Sequence, residues 1–285
     1  MNKFTSISVE GMNWIIDHLR NGRSSDSLIH AMVKDNFDQA AASQIVSRLA
    51  GIMKANTEIG SLRDDFIYET PRFPQRGPTI HTSDRDIHVT VRINKPVIAV
   101  LDQLLSNEEC DELVEIAKKR VTRSTVVDPD TGKATIDKAR TSYSTSLKNN
   151  ESEFIRTLNQ RITEVMRYPI EHGEDLHIIN YQAGAEYKPH FDYFPKINAG
   201  SELHLGKGGQ RVSTLIMYLN DVESGGETIF PKLGLSILPK KGSAVYFEYC
   251  NSLEQVDSMT LHGGAPVVLG EKWIATKWMR QSRRY

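Results

Sequence analysis

Cysteine is nearly absent: 285 residues hold two, Cys110 and Cys250, far apart in the chain. One such pair cannot form a disulfide framework, and neither cysteine has zinc-ligand spacing. Cys110 falls in an amphipathic helix pattern and Cys250 in an aromatic strand pattern, where buried thiols are common. Long apolar runs are missing too. No segment approaches the roughly 20 residues that span a bilayer. The opening Met1-Asn2-Lys3-Phe4-Thr5-Ser6 has no apolar core of signal-peptide length. Charge of one sign is not in excess, since 35 Lys and Arg meet 36 Asp and Glu for a net of −1. No basic field therefore draws nucleic acid or an anionic membrane to it. Repeats and low-complexity tracts are absent. With 39% apolar and 25% charged residues, the expectation is a soluble globular protein of the reducing cytoplasm, with neither nucleic acid nor membrane as partner.

What is present divides the chain into three. Residues 1–68 form a small N-terminal helical region. Val9, Met12, Ile15, Ile16 and Leu19 recur at helical spacing and stop at Gly22, a natural residue beyond a helix end. Ser25 is placed to cap a second helix, and Asp38 a third carrying Ala41, Ile45, Leu49 and Ile52. Residues 1–55 have a net charge of only +1, too neutral for a helix-turn-helix footprint on DNA. Packing, dimerisation and substrate docking stay open for these helices. Residues 69–96 read as a linker, broken by Pro71, Pro74, Gly77 and Pro78, and a leading strand in which Ile87, Val89, Val91 and Ile93 alternate.

Residues 97–285 form the main domain. Ser106-Asn107-Glu108-Glu109 is a capping-box pattern that opens one helix, and a second runs from about Ser152 to Arg167. Val127–Gly132 has the chemistry of an exposed, mobile turn, and Gly200–Gly209 reads as a flexible loop. From Leu176 on, short strand-like runs follow one another: Leu176–Tyr181, Lys188–Phe194, Val212–Leu219, Glu227–Phe230, Ser236–Leu238, Ala244–Tyr249, Met259–His262 and Lys272–Met279. The fold class is α+β, a double-stranded β-helix or jelly-roll core buttressed by helices.

The chemistry centres on His190-Phe191-Asp192. On a strand, residues i and i+2 share a face, so imidazole and carboxylate project together while Phe191 points away. They supply two of the three ligands of a 2-His-1-carboxylate triad, which holds non-haem Fe(II) and leaves sites open. His262 supplies a third, with Gly263 and Gly264 letting the backbone pass close to a metal. Ten residues further on stands Lys272, suited to neutralise the distal carboxylate of a dicarboxylate such as 2-oxoglutarate, whose burial unpaired is too costly. Tyr181 and Thr214, on neighbouring strand patterns, offer hydroxyls to the same carboxylate.

His190-x-Asp192, Thr214-x-x-x-Tyr218-Leu219-Asn220, Gly225-Gly226-Glu227-Thr228-x-Phe230-Pro231, His262-Gly263 and Gly270-x-Lys272-Trp273 occur in this order. Over about Val97 to Arg280 they resemble the catalytic domain of the Fe(II)/2-oxoglutarate-dependent prolyl 4-hydroxylases, the collagen-type group with plant and bacterial relatives. The resemblance implies an enzyme: Fe(II) on His190, Asp192 and His262, 2-oxoglutarate on Lys272, O2 consumed, succinate and CO2 released. It also implies Tyr187, Arg211 and Trp278 on the substrate side and a lid before Arg140. Arg280 stands where some relatives carry a histidine near the substrate. Ascorbate as a reductant and a homodimer are compatible with the same family. The resemblance leaves the substrate open between a prolyl residue in a peptide or protein and a free cyclic amino acid such as proline or pipecolate, whose carboxylate would pair with Arg211 or Arg280. A non-catalytic binding module on the same fold is the third reading. His18, His30, His81, His88, His172, His177 and His204 are expected to be structural. Lys188 and Lys277 are expected to face solvent, and Glu227 and Asp257 to stabilise turns.

Overall fold

The computed structural model describes residues 3–5, 7, 9–20, 23–61, 66–128, 130–195 and 200–283. It divides into two compact units, Met1–Asp65 and Phe66–Tyr285.

The first unit has three helices, Val9–Arg20, Ser25–Lys34 and Gln39–Ser61. Ile15, Leu28, Met32, Ala42 and Val46 form its core. The cap of the second helix is Ser24, not Ser25: Ser24 is extended, and its side chain accepts from the Ser27 N–H, while Ser25 is already helical. A cap must precede the first helical residue, which decides between two adjacent serines. Asp38 caps the third helix by accepting from the Ala41 N–H at 3.1 Å. Gly22 and the side chain of Ile52 lie outside the described residues. Among the described residues no helix is long and apolar enough to cross a membrane.

In the second unit two antiparallel sheets form a jelly roll. The larger has nine strands in the spatial order Thr79–His81, Asp86–Asn94, Val97–Asp102, Ala244–Glu248, Arg211–Tyr218, Lys272–Arg280, Leu176–Tyr181, Tyr143–Leu147 and Thr122–Arg123. The smaller runs Leu235–Ile237, Thr228–Phe230, His262–Gly264 and Tyr187–His190. Two-residue alternation along these strands sends one set of side chains to a shared interior. Helices Asn107–Lys118 and Glu153–Met166 bury Leu113, Ala117, Ile155, Leu158 and Ile162 in the same core. The capping box at Ser106 and Glu109 is formed as expected. Arg167 ends the second helix in the left-handed conformation. The proline-rich stretch packs into this unit, where Phe73 stacks on Tyr246 with ring centroids 5.0 Å apart.

Five expectations are corrected. Pairing of Asp86–Asn94 skips Thr90, and Val91 is left 43% exposed although the alternation placed it inward. Met259–His262 is not a strand: the Asp257 carboxylate accepts from the Met259 N–H, closes a 3-10 turn over Ser258–Thr260, and delays the strand to His262–Gly264. Val127–Gly132 holds the expected turn, with Asp128 accepting from the Thr131 N–H, but it is not a free loop: the turn closes a hairpin in which Val126–Val127 pairs with Ala134–Thr135. Ser201–Leu205 is a short helix within the supposedly flexible glycine-rich stretch. Lys277 is fully buried, its Nζ donating to Asn149 Oδ1 at 2.5 Å and Asn159 Oδ1 at 2.9 Å. Its strand has a partner on both sides in mid-sheet, and the face away from the cavity is covered by helix Glu153–Met166, which carries Asn159.

Candidate active site

His190 and His262 are register partners on adjacent antiparallel strands, so their rings are cross-strand neighbours. Asp192 does not share their strand. The strand stops at His190, and Asp192 sits in the bend that follows. Phe191 also lines the cavity instead of pointing away. The bend still brings the carboxylate in: Asp192 Oδ1 is 3.7 Å from His190 Nε2 and Oδ2 is 3.6 Å from His262 Nε2. One ligand atom from each of the three lies within 4.8 Å of the others.

The remaining ring nitrogens fix the tautomers. His190 Nδ1 is 2.9 Å from the Lys188 carbonyl, and His262 Nδ1 is 3.0 Å from the Thr260 carbonyl. A carbonyl only accepts, so each Nδ1 carries a proton, which turns each Nε2 toward Asp192 and makes it the ligand atom of the neutral ring. Burial pushes His262 down to about 4, so its ring is neutral. Burial alone would raise the Asp192 carboxyl, but positive charge around it, from the His262 and His190 rings when protonated and from Arg211, outweighs that and holds it below its ordinary value. Two imidazoles and one carboxylate, each oriented by a hydrogen bond from behind, suit a divalent first-row metal. Gly263 serves a backbone approach, though not to the metal: a Cβ there would meet the Tyr187 carbonyl oxygen at 2.9 Å and Pro189 N at 3.0 Å.

Around this triad is a cavity of about 470 Å³. The last strand sends Lys272, Ile274, Thr276 and Trp278 into it, and Leu176–Tyr181 sends His177, Ile179 and Tyr181, each set at two-residue spacing. Lys272 and Tyr181 are register partners. Lys272 is 2% exposed, and burial pushes its ammonium down to about 7. Its Nζ lies 5.5 Å from the Tyr181 ring centroid and 5.7 Å from that of Tyr218. Among the described residues no side chain hydrogen-bonds to it. Thr214 does not join this end of the cavity. Its hydroxyl donates to Asp192 Oδ2 at 2.7 Å. Thr228 lines the cavity there, accepting from the Tyr218 hydroxyl at 2.7 Å; its motif was noticed in the sequence, its role was not.

The opposite side carries the arginines. Arg211 forks onto Glu174, with Nε to Oε1 at 2.7 Å and Nη2 to Oε2 at 2.9 Å. Its guanidinium lies 4.1 Å over the Trp278 ring, and Nη1 donates to the Asp192 carbonyl at 3.3 Å. Burial lowers an arginine's pKa, but Glu174 outweighs it and holds Arg211 above its ordinary value. Arg280 also donates to Glu174 Oε1 at 2.7 Å, and to the Gly209 carbonyl at 2.6 Å. It is buried behind the cavity wall. Tyr187 stacks on His190 at 3.6 Å between centroids, and burial raises its hydroxyl to about 12. Arg140 lies 5.0 Å over the Tyr187 ring. Glu174 and His177 were missed. Nothing local marks Glu174; His177 was reachable, because it stands four residues before Tyr181 on the same strand face.

The 2OG-Fe(II) oxygenase superfamily pattern matches residues 176–280, which holds all three triad residues and Lys272. Probable prolyl 4-hydroxylase 3 of Arabidopsis thaliana is 40% identical over 204 residues, covering 65% of this chain and 69% of its own length. This chain belongs to the prolyl 4-hydroxylase family. Prolyl 4-hydroxylase 5 of the same plant is 39% identical over 203 residues, 65% of this chain and 68% of its own. Among solved structures, the viral collagen prolyl hydroxylase of Paramecium Bursaria Chlorella virus-1, captured with 2OG, matches with TM-score 0.50 and 30% identity. That match covers 64% of this chain and 95% of the viral one. As a family member the chain is a 2-oxoglutarate-dependent dioxygenase using Fe(II), built on the jelly roll described above.

Proposed function

We propose that this prolyl 4-hydroxylase family member hydroxylates prolyl residues within a peptide or protein, at C4, and that His190, Asp192 and His262 hold the iron. Bound Fe(II) with 2-oxoglutarate supplies O2 activation, the co-substrate leaving as succinate and CO2. The chain's own part is positioning. Lys272 neutralises the distal carboxylate of 2-oxoglutarate in a pocket whose tyrosine rings exclude water. Tyr181 and Thr228 offer hydroxyls to that carboxylate. Tyr187, Trp278, Arg211 and Arg140 face the target residue.

One observation favours a peptidyl substrate over a free amino acid. A free imino acid needs a counter-charge for its carboxylate, and the two arginines expected to give it, Arg211 and Arg280, are both bound to Glu174. That leaves Arg140 alone among the site's arginines without a carboxylate partner among the described residues. The binding-module reading is weakened because triad and lysine share one cavity. Cys110 and Cys250 are both buried, which is consistent with a reducing cytoplasm as its compartment. Homodimer formation is a separate expectation, read by sedimentation velocity.

The test is mass spectrometry after incubation with Fe(II), 2-oxoglutarate, ascorbate and either a proline-rich peptide or free proline and pipecolate. The expected result is gain of one oxygen on the peptide, with 4-hydroxyproline on hydrolysis. Oxygen gain on the free imino acids alone would overturn the peptide reading, and absence of succinate with every substrate would favour a binding module.

A further inference from the structure

His177 stands in the cavity wall with no part in holding iron or co-substrate. Both ring nitrogens are engaged: Nδ1 lies 3.0 Å from Ser146 Oγ and Nε2 lies 3.2 Å from Arg140 Nη2. A guanidinium only donates, so Nε2 is the acceptor and Nδ1–H donates to Ser146. Burial, with the charges of Arg140 and Arg211, pushes the ring down to about 3 and keeps it neutral.

Arg140 is the group this arrangement aims. It is 8% exposed, lines the cavity, and differs from Arg211 and Arg280 in its partners. Its Nε donates to Ser142 Oγ at 3.2 Å and its Nη1 to the Thr125 carbonyl at 3.1 Å. Together with His177 these are all neutral acceptors, and among the described residues no carboxylate pairs with it. A buried guanidinium without a carboxylate retains capacity for further acceptors. The plane of the fork is fixed from three directions, and His177 is the only one of the three that acts through a side chain from another strand.

We infer that His177 is a positioning residue: it holds the Arg140 guanidinium in the orientation that meets the carbonyl oxygens of a peptide substrate at the cavity mouth. The inference rests on the peptidyl reading above.

His177→Ala removes the acceptor and His177→Gln restores one through Oε1. Each is made in the full chain, alone and with Arg140→Ala, and assayed with Fe(II) for the KM of a proline-rich peptide and of 2-oxoglutarate. The expected result for His177→Ala is a peptide KM raised about tenfold, the scale of one hydrogen bond to a charged group. The 2-oxoglutarate KM and the succinate formed without peptide stay at wild-type values. His177→Gln recovers most of the peptide KM, and His177→Ala adds nothing once Arg140 is Ala. A loss of equal size in the Arg140→Ala background, an unchanged peptide KM, or a parallel rise in both KM values overturns the inference. Failure of the peptidyl reading is seen earlier, as absence of peptide hydroxylation by the wild-type chain.

Discussion

The Thr214 hydroxyl lies 2.7 Å from Asp192 Oδ2 and 2.9 Å from the Tyr249 hydroxyl. Thr214 has one proton, and an ionised carboxylate only accepts, so Thr214 donates to Asp192 and Tyr249 donates to Thr214. Both residues are buried. A hydroxyl that the sequence placed beside 2-oxoglutarate thus steadies the carboxylate of the triad. Thr214→Val keeps the shape and removes the donor. On the proposed ligand set it should weaken Fe(II) binding about 10–100-fold, the usual cost of losing an outer partner of a metal ligand. Anaerobic titration of the apo chain with Fe(II) measures this. Full metal affinity with weakened 2-oxoglutarate binding would return Thr214 to the co-substrate.

Replacing Asp192 by Ala should abolish iron-dependent hydroxylation and leave the fold intact. The carboxylate occupies a bend after the strand rather than a ladder position, so no sheet hydrogen bond depends on its side chain. Circular dichroism checks the fold and mass spectrometry the product. Hydroxylation near the wild-type rate would mean that another carboxylate holds the metal.

Lys272 gives a pH dependence of two opposite signs. Its folded value of about 7 lies below the roughly 10.4 of an unfolded chain. Between those values the unfolded chain binds the extra proton, so this group makes the apo protein more stable as pH rises across the window. Binding of 2-oxoglutarate needs the ammonium. Its affinity should therefore be fully present below about pH 7 and fall about tenfold per pH unit above it. Lys272→Ala should leave the distal carboxylate unpaired, costing about 3–5 kcal/mol of co-substrate binding, and flatten the pH profile. Calorimetric titration of 2-oxoglutarate into the Lys272→Ala chain decides it; an unchanged affinity would sink the assignment.

The sequence carried the parts of the site that depend on short-range rules. His190, Asp192, His262 and Lys272 were legible because residue type and order reveal ligands, and most strands of the large sheet were legible as short strand-like runs bounded by turn residues. What escaped depends on where the chain turns or what packs behind it. Asp192 was expected on a strand and reaches the site from a bend. Thr214 was placed beside the co-substrate while its hydroxyl meets Asp192, because position on a strand gives a face and not a partner. Lys277 reads as a surface lysine by type, yet Asn149 and Asn159, more than a hundred residues away, satisfy it. Glu174 is an ordinary carboxylate after a 3-10 turn until the fold sets two arginines against it.

Those two arginines make Glu174 the most consequential carboxylate outside the triad. Its Oε1 accepts from both Arg211 and Arg280, and Oε2 accepts from Arg211. Arg211 in turn holds the Asp192 carbonyl and stacks on Trp278. Glu174→Gln keeps a side chain of the same shape and removes the counter-charge that the buried Arg280 and half-buried Arg211 share. The loss should be about 3–5 kcal/mol of stability, as for other buried ion pairs broken from one side, read by denaturant unfolding. A second readout separates charge from packing. With Glu174 neutral, Arg211 is released to take a small carboxylate at the cavity wall, so free proline or pipecolate should inhibit the Glu174→Gln chain more strongly than the wild type. Equal inhibition of both chains would show that Arg211 takes no small carboxylate even when its partner is neutral.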